Sequence, residues 1–415
     1  MRLKIVLIII MCNFSFLYAQ QMELSWKDCV DITFKNNPEL KSKQYSLKQA
    51  EYSYFSSLNS YYPQISLNHS FSRSGGDNSS VSNRFSASAS MSQSLFNLKT
   101  ISSIKSAKIN YDSAKLNYES FVLDLRKNLY SAYLNLYFAQ KTVEVNKRIL
   151  EIREENAKLI KLKYESGMES KGNMLYANAQ YEMSKLNLKK SERNLRINME
   201  NLAQITGLKD YETISIKDEI DVPNLDFDIV KIEEYINKNP DLKSYIENIK
   251  LAKEKLNSAS YDLFPNLNFN SSYGYSGNSE FPEKKSWSFG LSMSLPIFSN
   301  GITYYKNNKL MAENMLKANE EQLNNYKISL KASINNAYDD FLNSVDTVNT
   351  YKILLNANEE RYKEGQIKYM AGSMSFIDLE NLEQNLIDSK LNYINYIQTA
   401  NLKKINLERY ISVGF

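Results

Sequence analysis

Between Gln64 and Leu95 the chain alternates apolar and polar residues with a period of two. Ile65, Leu67 and Phe71 are separated by Gln64, Ser66, Asn68, Ser70 and Ser72. After a Gly/Ser/Asn loop, Phe85, Ala87, Ala89, Met91 and Leu95 stand among serines. The pattern returns at Leu267, Phe269, Tyr273 and Tyr275, and again at Trp287, Phe289, Leu291, Met293 and Leu295. This period predicts strands with one apolar face, at about 63–73, 83–97, 265–276 and 286–298. Each run is about ten residues, the length of a strand that crosses a bilayer. The loops at 75–83 and 277–285 are polar, and Tyr61, Tyr62, Phe96, Phe264 and Phe298 stand near strand ends, as interfacial aromatic girdles do. A soluble hairpin with one buried face is the simpler alternative for each pair.

Outside these runs the period becomes helical. Lys-, Leu-, Ala- and Tyr-rich segments follow Asn-Pro starts and run to about Leu58 and Ser258, with Pro63 and Pro265 expected to stop them. After the second alternating run, Ile104, Ala107, Tyr111, Ala114, Tyr118, Phe121 and Leu125 step by three and four, a heptad seam. The step from Leu125 to Leu129 is a stutter, which locally relaxes supercoiling, and the seam resumes through Ala132, Leu136, Ala139 and Val143. No Pro or Gly interrupts Leu98 to Lys163, so a helix of roughly 100 Å is predicted at ~1.5 Å per residue. Gly167 breaks it, and a returning helix is predicted from about Asn173 to Ile205.

These patterns occur twice because the chain is a duplication. Asn37-Pro38-Glu39-Leu40-Lys41-Ser42 recurs as Asn239-Pro240-Asp241-Leu242-Lys243-Ser244, an offset of 240 − 38 = 202. Pro63 and Pro265, Ser90-Met91-Ser92 and Ser292-Met293-Ser294, and Phe96 and Phe298 keep that offset. Further on, Lys163-Tyr164 and Gly167 match Lys368-Tyr369 and Gly372, and Ser184-Lys185-Leu186-Asn187 recurs as Ser389-Lys390-Leu391-Asn392, both 205 apart. Ordered matches at a nearly constant offset mark an internal repeat. The division is a first repeat over 20–207, a linker or equatorial segment over 208–223, and a second repeat over 224–415. Arg361–Gly365 resembles a turn one heptad early, but the Ser-Lys-Leu-Asn offset fixes the second turn at Gly372.

Composition narrows the function. Arg2 and Lys4, the apolar run Ile5 to Met11, and Phe14 to Ala19 read as a signal peptide over 1–19. Cys12 invites a lipoprotein reading, but Met11 stands where a small residue is expected. The whole chain carries 51 basic and 47 acidic residues; without Arg2 and Lys4 the balance is 49 to 47, with charges scattered singly as on solvated helix faces. No basic patch points to nucleic acid. Cys29 is the one cysteine beyond the signal and His69 the one histidine, which leaves no internal disulfide, no zinc site and no Ser-His-Asp set; no cofactor or metal is expected, and no enzymatic activity. No apolar stretch beyond the signal reaches ~18 residues, so an exported chain is periplasmic, secreted, or in the outer membrane as a β-barrel in contact with lipid, and the bilayer-length strands favour the last. Four strands cannot close a barrel, since small membrane barrels start near eight strands, and open edges are not tolerated in lipid; the chain must then oligomerise.

The order helix, two strands, long helix, glycine turn and returning helix, all duplicated, resembles the TolC-like outer-membrane efflux channels. Leu24-Ser25-Trp26-Lys27-Asp28-Cys29 leading to Asn37-Pro38-Glu39-Leu40 resembles the family's opening. Leu95-Phe96 and Leu295-Pro296-Ile297-Phe298 with Gly301 resemble its strand-to-helix junctions, and Tyr164–Gly167 with Asn173 and Tyr369–Gly372 with Asp378 resemble its two tip turns. The resemblance implies an α+β membrane protein: long antiparallel coiled-coil hairpins, four transmembrane strands per chain, and a homotrimer with a twelve-stranded β-barrel on a periplasmic α-barrel. It implies a passive exit duct of a tripartite efflux or type I secretion system, docked to a periplasmic adaptor (membrane fusion) protein and an inner-membrane RND or ABC pump. Adaptor docking would fall on Tyr164, Ser166, Gly167, Met168, Tyr369, Ala371, Gly372 and Ser373. The pore constriction would fall on Asp378, Glu380, Asn381 and Asn173; the family often carries a further acid shortly after the Asp378 position, where this chain has Asn381 beside Glu380. Asp378 also suits a helix-capping acid. A structural periplasmic coiled-coil protein without channel activity remains the alternative, and the cargo is not readable, because a pump would select it.

Overall fold

The computed structural model describes residues 22–77, 79–209, 214–224, 227–297 and 299–415. The segment expected to be a signal peptide, with Cys12, part of the expected linker, and Phe298 lie outside the described residues. In chain order the elements are β1 (Met22–Leu24), α1 (Trp26–Asn36), α2 (Pro38–Leu58), β2 (Gln64–Gly76), β3 (Ser79–Phe96), α3 (Leu98–Glu165), α4 (Lys171–Thr206) and β4 (Ile214–Ile216). They continue with α5 (Ile232–Lys238), α6 (Pro240–Ser260), β5 (Asn266–Gly277), β6 (Lys284–Ser294), α7 (Tyr304–Met370) and α8 (Phe376–Tyr410). The chain forms two compact units. One takes in the described parts of 1–37, 127–225 and 340–405, the other those of 38–126, 226–339 and 406–415.

The second unit holds one antiparallel sheet in the order β2-β3-β5-β6. Its register follows the alternation. Ile65 pairs with Met91, Leu67 with Ala89 and Phe71 with Phe85; across the repeat boundary Ala89 pairs with Tyr273, and Tyr273 with Trp287. Paired residues share a face, so one surface is aliphatic and aromatic, with His69 and Lys285 among the exceptions. The opposite surface is Ser, Asn and Gln, joined across strands by Ser66–Ser90 and Ser70–Ser86 hydroxyl bonds of 2.7 Å and Ser272–Ser288 of 2.9 Å. A bulge between Ser94 and Phe96 ends the regular pairing where the chain turns into α3. The apolar face is bare: Leu67 is 83% exposed and Phe289 72%.

The helices in this unit do not end at the prolines. Helix α2 stops at Leu58 and α6 at Ser260; single 3₁₀ turns follow at Asn59–Tyr61 and Tyr261–Leu263, and Pro63 and Pro265 lie just ahead of β2 and β5. Proline lacks an N–H and has a fixed φ, which suits the entry to a strand as well as a helix stop. Asn239 caps α6, accepting from the N–H groups of Asp241 and Leu242 at 2.9 and 3.1 Å, with Pro240 at the first helical position. Arg409 draws segments together: its guanidinium pairs with Asp124 at 2.5 Å and Asp241 at 3.0 Å, while the rings of Tyr245 and Tyr326 stack at 4.6 Å.

In the first unit, Leu129, Tyr133, Leu134 and Leu136 of α3 pack against Leu202 of α4, Cys29 of α1 and Ile214 of β4. Each fully buried leucine contributes about 1.5–3 kcal/mol. Trp26 sets its ring edge-on to Tyr130 at 4.8 Å. Serine 25 begins α1 with a capping box to Asp28, which holds that carboxylate down at about 2. Strands β1 and β4 form a parallel two-stranded ribbon, Met22 opposite Ile214 and Leu24 opposite Ile216. Strand β4 falls in the segment expected as a linker, and β1, α1, β4 and α5 lie outside the elements that the sequence patterns predict. Helix α4 closes on Gly207, whose φ of +76° needs glycine, and a Cβ there would lie 2.9 Å from the Asn36 backbone.

Candidate functional site

The two glycine turns joining α3 to α4 and α7 to α8 lie in the first unit and share one geometry. The N–H of Met168 reaches the Lys163 carbonyl at 2.8 Å and that of Gly167 the Tyr164 carbonyl at 3.0 Å. In the second turn Ser373 reaches Lys368 at 2.9 Å and Gly372 reaches Tyr369 at 3.1 Å. Both are Schellman caps, with left-handed glycines at φ +72° and +77°. No atom lies within 4 Å of a Cβ built on either glycine, so backbone conformation rather than space requires them. The returning helices start on serines in equivalent places: the Oγ of Ser170 accepts from Asn173 N–H and that of Ser375 from Asp378 N–H, both at 3.1 Å. The offset 375 − 170 = 205 is that of the repeat, so these caps were readable in the alignment of the two halves.

Tyr164, Ser166, Gly167, Met168, Ala371, Gly372 and Ser373 are exposed at the turns, Met168 to 71%. Tyr369 departs from the expected docking set. It is 3% exposed and packs with Ala157, Ile160, Ala177, Phe376 and Leu379. Its ring lies 3.8 Å beneath the Lys163 ammonium, which donates to the Tyr369 carbonyl at 2.9 Å, and its hydroxyl donates to Glu169 at 2.9 Å. Tyr369 therefore ties the two turns together from inside. Glu169, which no motif of the sequence singles out, also accepts from Ser170 N–H at 3.0 Å and Asn173 Nδ2 at 2.7 Å. Partial burial pushes its pKa up, but these bonds hold it below the usual carboxylate range. Burial first, and then its bond to Glu169, raise the Tyr369 phenol.

The pore candidates lie in the first turns of α4 and α8. Asp378 is exposed and accepts from the Ser375 hydroxyl at 2.6 Å, so it serves the helix cap. Glu380 accepts from the Tyr176 hydroxyl at 2.8 Å, which joins α4 to α8, and Asn381 is exposed. Asn173 is engaged with Glu169 and Ser170.

Behind them lies a buried polar knot that scattered charges did not suggest. Arg153 of α3 and Glu383 of α8 are 6% and 2% exposed, with Arg153 Nε 2.9 Å from Glu383 Oε1. Asn156 donates to the other carboxylate oxygen and, at 3.1 Å, to Tyr362 Oη of α7. Burial holds the Glu383 carboxyl above the usual range despite the pull of Arg153. Gly365, inside α7, lets Leu382 of α8 approach closely; a Cβ there would collide with the leucine methyl. Among the described residues no cluster of His, Cys, Asp and Glu is placed to hold a metal, and no helix is long and apolar enough to cross a membrane.

This doubled arrangement of strand hairpins, long helices and glycine turns has a counterpart among known proteins. The family model described as outer membrane efflux protein matches residues 30–208 and again 232–412. The chain belongs to the outer membrane efflux protein family. The two matched segments begin 232 − 30 = 202 residues apart, the offset of the repeat. Membership places the chain in the outer membrane. Outer membrane protein TolC of Salmonella enteritidis is 24% identical over 246 residues, which cover 56% of this chain and 49% of that one, so the match spans about half the relative's length. A membrane protein from Pseudomonas aeruginosa superposes with a TM-score of 0.82 at 17% identity, covering 93% of each chain. The Campylobacter jejuni CmeC outer membrane channel gives 0.79 at 19% identity, over 94% of this chain and 86% of that one. At such identities these structures establish the shared fold of this efflux-family chain.

Proposed function

We infer that three copies of this chain close their sheets into one twelve-stranded barrel and their helices into a periplasmic tunnel, forming a passive exit duct. The observation that carries this reading is the sheet of the second unit. It has four strands, an exposed apolar face, and edges β2 and β6 that pair with nothing among the described residues. Backbone edges in hydrocarbon leave unsatisfied N–H and C=O groups at several kcal/mol each, so a membrane sheet must close, and four strands are too few. In a closed barrel the apolar face would meet lipid and the serine face would line the lumen.

The glycine turns would form the periplasmic tip. Exposed Met168, Ser166, Ala371 and Ser373 offer a surface to an adaptor hairpin, coupling the duct to an inner-membrane RND or ABC pump. Three copies of Asp378 would ring the entrance and attract cations. The second repeat alone supplies that acid, because Asn173 occupies the matching place. The test is sizing in detergent together with planar-bilayer recording. A trimer with single-channel conductance is expected; a monomer without conductance refutes the duct and favours a periplasmic coiled-coil protein.

A further inference from the structure

Below the sheet, within the second unit, helices α2, α3 and α6 enclose a groove of about 490 Å³. Its wall is apolar at Tyr54, Ile104 and Ile109, and its rim carries Lys105, Lys108, Lys250 and Lys253. The acid in the lining, Glu254, is already engaged: it accepts from the Ser102 hydroxyl at 3.2 Å and from Asn257 at 3.3 Å. Lys108 pairs with Asp112 at 3.0 Å and Lys250 with Glu247 at 2.7 Å. Lys105 and Lys253 make no ion pair among the described residues, and both are exposed. Glu254 keeps its charge, so the two cations without an ion-pair partner, Lys105 and Lys253, exceed it by one; an apolar slot with that excess fits a ligand with an acyl chain and an anionic head placed beside the two lysines.

The position selects the source. Ile104 lies eight residues beyond Phe96, where β3 ends, and six residues into α3, about 9 Å along that helix. If the sheet spans the hydrocarbon, that is the level of the polar headgroups beside it. We propose that this groove binds an anionic phospholipid of the periplasm-facing leaflet, its phosphate between Lys105 and Lys253 and an acyl chain along Tyr54, Ile104 and Ile109. The site rests on the reading of the sheet as membrane-embedded.

The test uses the full chain, purified in detergent and stripped of lipid, with bound lipid read by native mass spectrometry. Phosphatidylglycerol should bind saturably, and phosphatidylcholine with the same chains at least about tenfold more weakly. Inorganic phosphate should fail to compete at equal concentration. Lys105→Gln with Lys253→Gln should weaken phosphatidylglycerol about thirtyfold, roughly fivefold for each cation. Lys189→Gln with Lys190→Gln, on exposed α4 positions, should change nothing. Ile109→Asn, which keeps the cations, should also weaken binding, and it decides the matter if the lysine variant does not fold. Equal binding of the two lipids, displacement by phosphate alone, or insensitivity to the groove variants overturns the site. So does a crosslink from Lys105→Cys to a neighbouring copy, which would mean that protein fills the groove. Fractionation of the native chain is scored separately: recovery outside the outer membrane refutes the membrane reading itself, whereas membrane recovery without lipid preference refutes only this site.

Discussion

Removing Arg153 tests whether the knot behind the tip holds α3 to α8. Arg153→Met leaves Glu383 buried at 2% exposure, with the Asn156 amide still donating to it but without the Arg153 cation. Stripping one partner from a buried ion pair costs about 3–5 kcal/mol. At about 1.4 kcal/mol per factor of ten, amides near 150–160 of α3 and 379–387 of α8 should exchange with solvent roughly two to three orders of magnitude faster. The loss must depend on pH in one direction. Burial already places the folded pKa of Glu383 above its unfolded value, so its stabilisation is fullest below the unfolded pKa and is lost as pH rises through the folded one. Without Arg153 the folded pKa climbs further, and the defect should be larger at pH 8 than at pH 5. Arg153→Met with Glu383→Leu removes the orphaned charge and should recover exchange to within about tenfold of the parent. A single variant that exchanges like the parent, or a double variant worse than either single, would refute the assignment, as would a defect that deepens toward acid.

Three further expectations concern the sheet and the turns. Leu291→Arg should cost about 2–4 kcal/mol of assembly in lipid, and Ser292→Arg on the opposite face much less; equal losses of detergent-stable trimer would overturn the facing of β6. Gly167→Val or Gly372→Val forces a branched residue into left-handed backbone at about 1–2 kcal/mol, so trimers should persist while crosslinking from Ser166 or Ala371 to an adaptor hairpin fails. Asp378→Ala should reduce cation selectivity and divalent block in planar bilayers while Asn173→Ala does little. Ser375→Ala, which loses the cap but keeps the charge, should leave block intact; block that follows Ser375 or Glu380 instead shows that Asp378 is not the pore acid.

The alternation at Ile65–Phe71 and Trp287–Met293 was legible because one side of each strand is apolar apart from His69, and the helices of α3 and α7 because nothing in their interiors breaks them except Gly365. The glycine turns were legible because a left-handed cap restricts residue choice. Three-residue strands such as β1 and β4 are too short to show a period, so their pairing left no mark on the sequence. Arg153 and Glu383 look like ordinary helix-surface charges; 230 residues separate them (383 − 153), and only the packing of α3 against α8 buries both. Tyr369 and Tyr164 are equivalent in the repeat, yet one is inside and the other out, a difference that matching letters cannot carry.

The small parallel ribbon has a consequence for the order of folding. Leu24 pairs with Ile216, 216 − 24 = 192 residues later, and Trp26 N–H and Tyr133 Oη both reach Asp218, at 2.9 and 2.6 Å. Neither Ile216 nor Asp218 exists for the leading segment until more than half of the chain has emerged. Closing a loop of that size costs about 5 kcal/mol of chain entropy before any contact forms. Hairpins such as β2–β3 and helices such as α3 need only near neighbours and can form early, so the ribbon should close late. Met22–Leu24 would then be among the last segments to lock, open to a holding chaperone or a protease while the rest of the first unit is already in place.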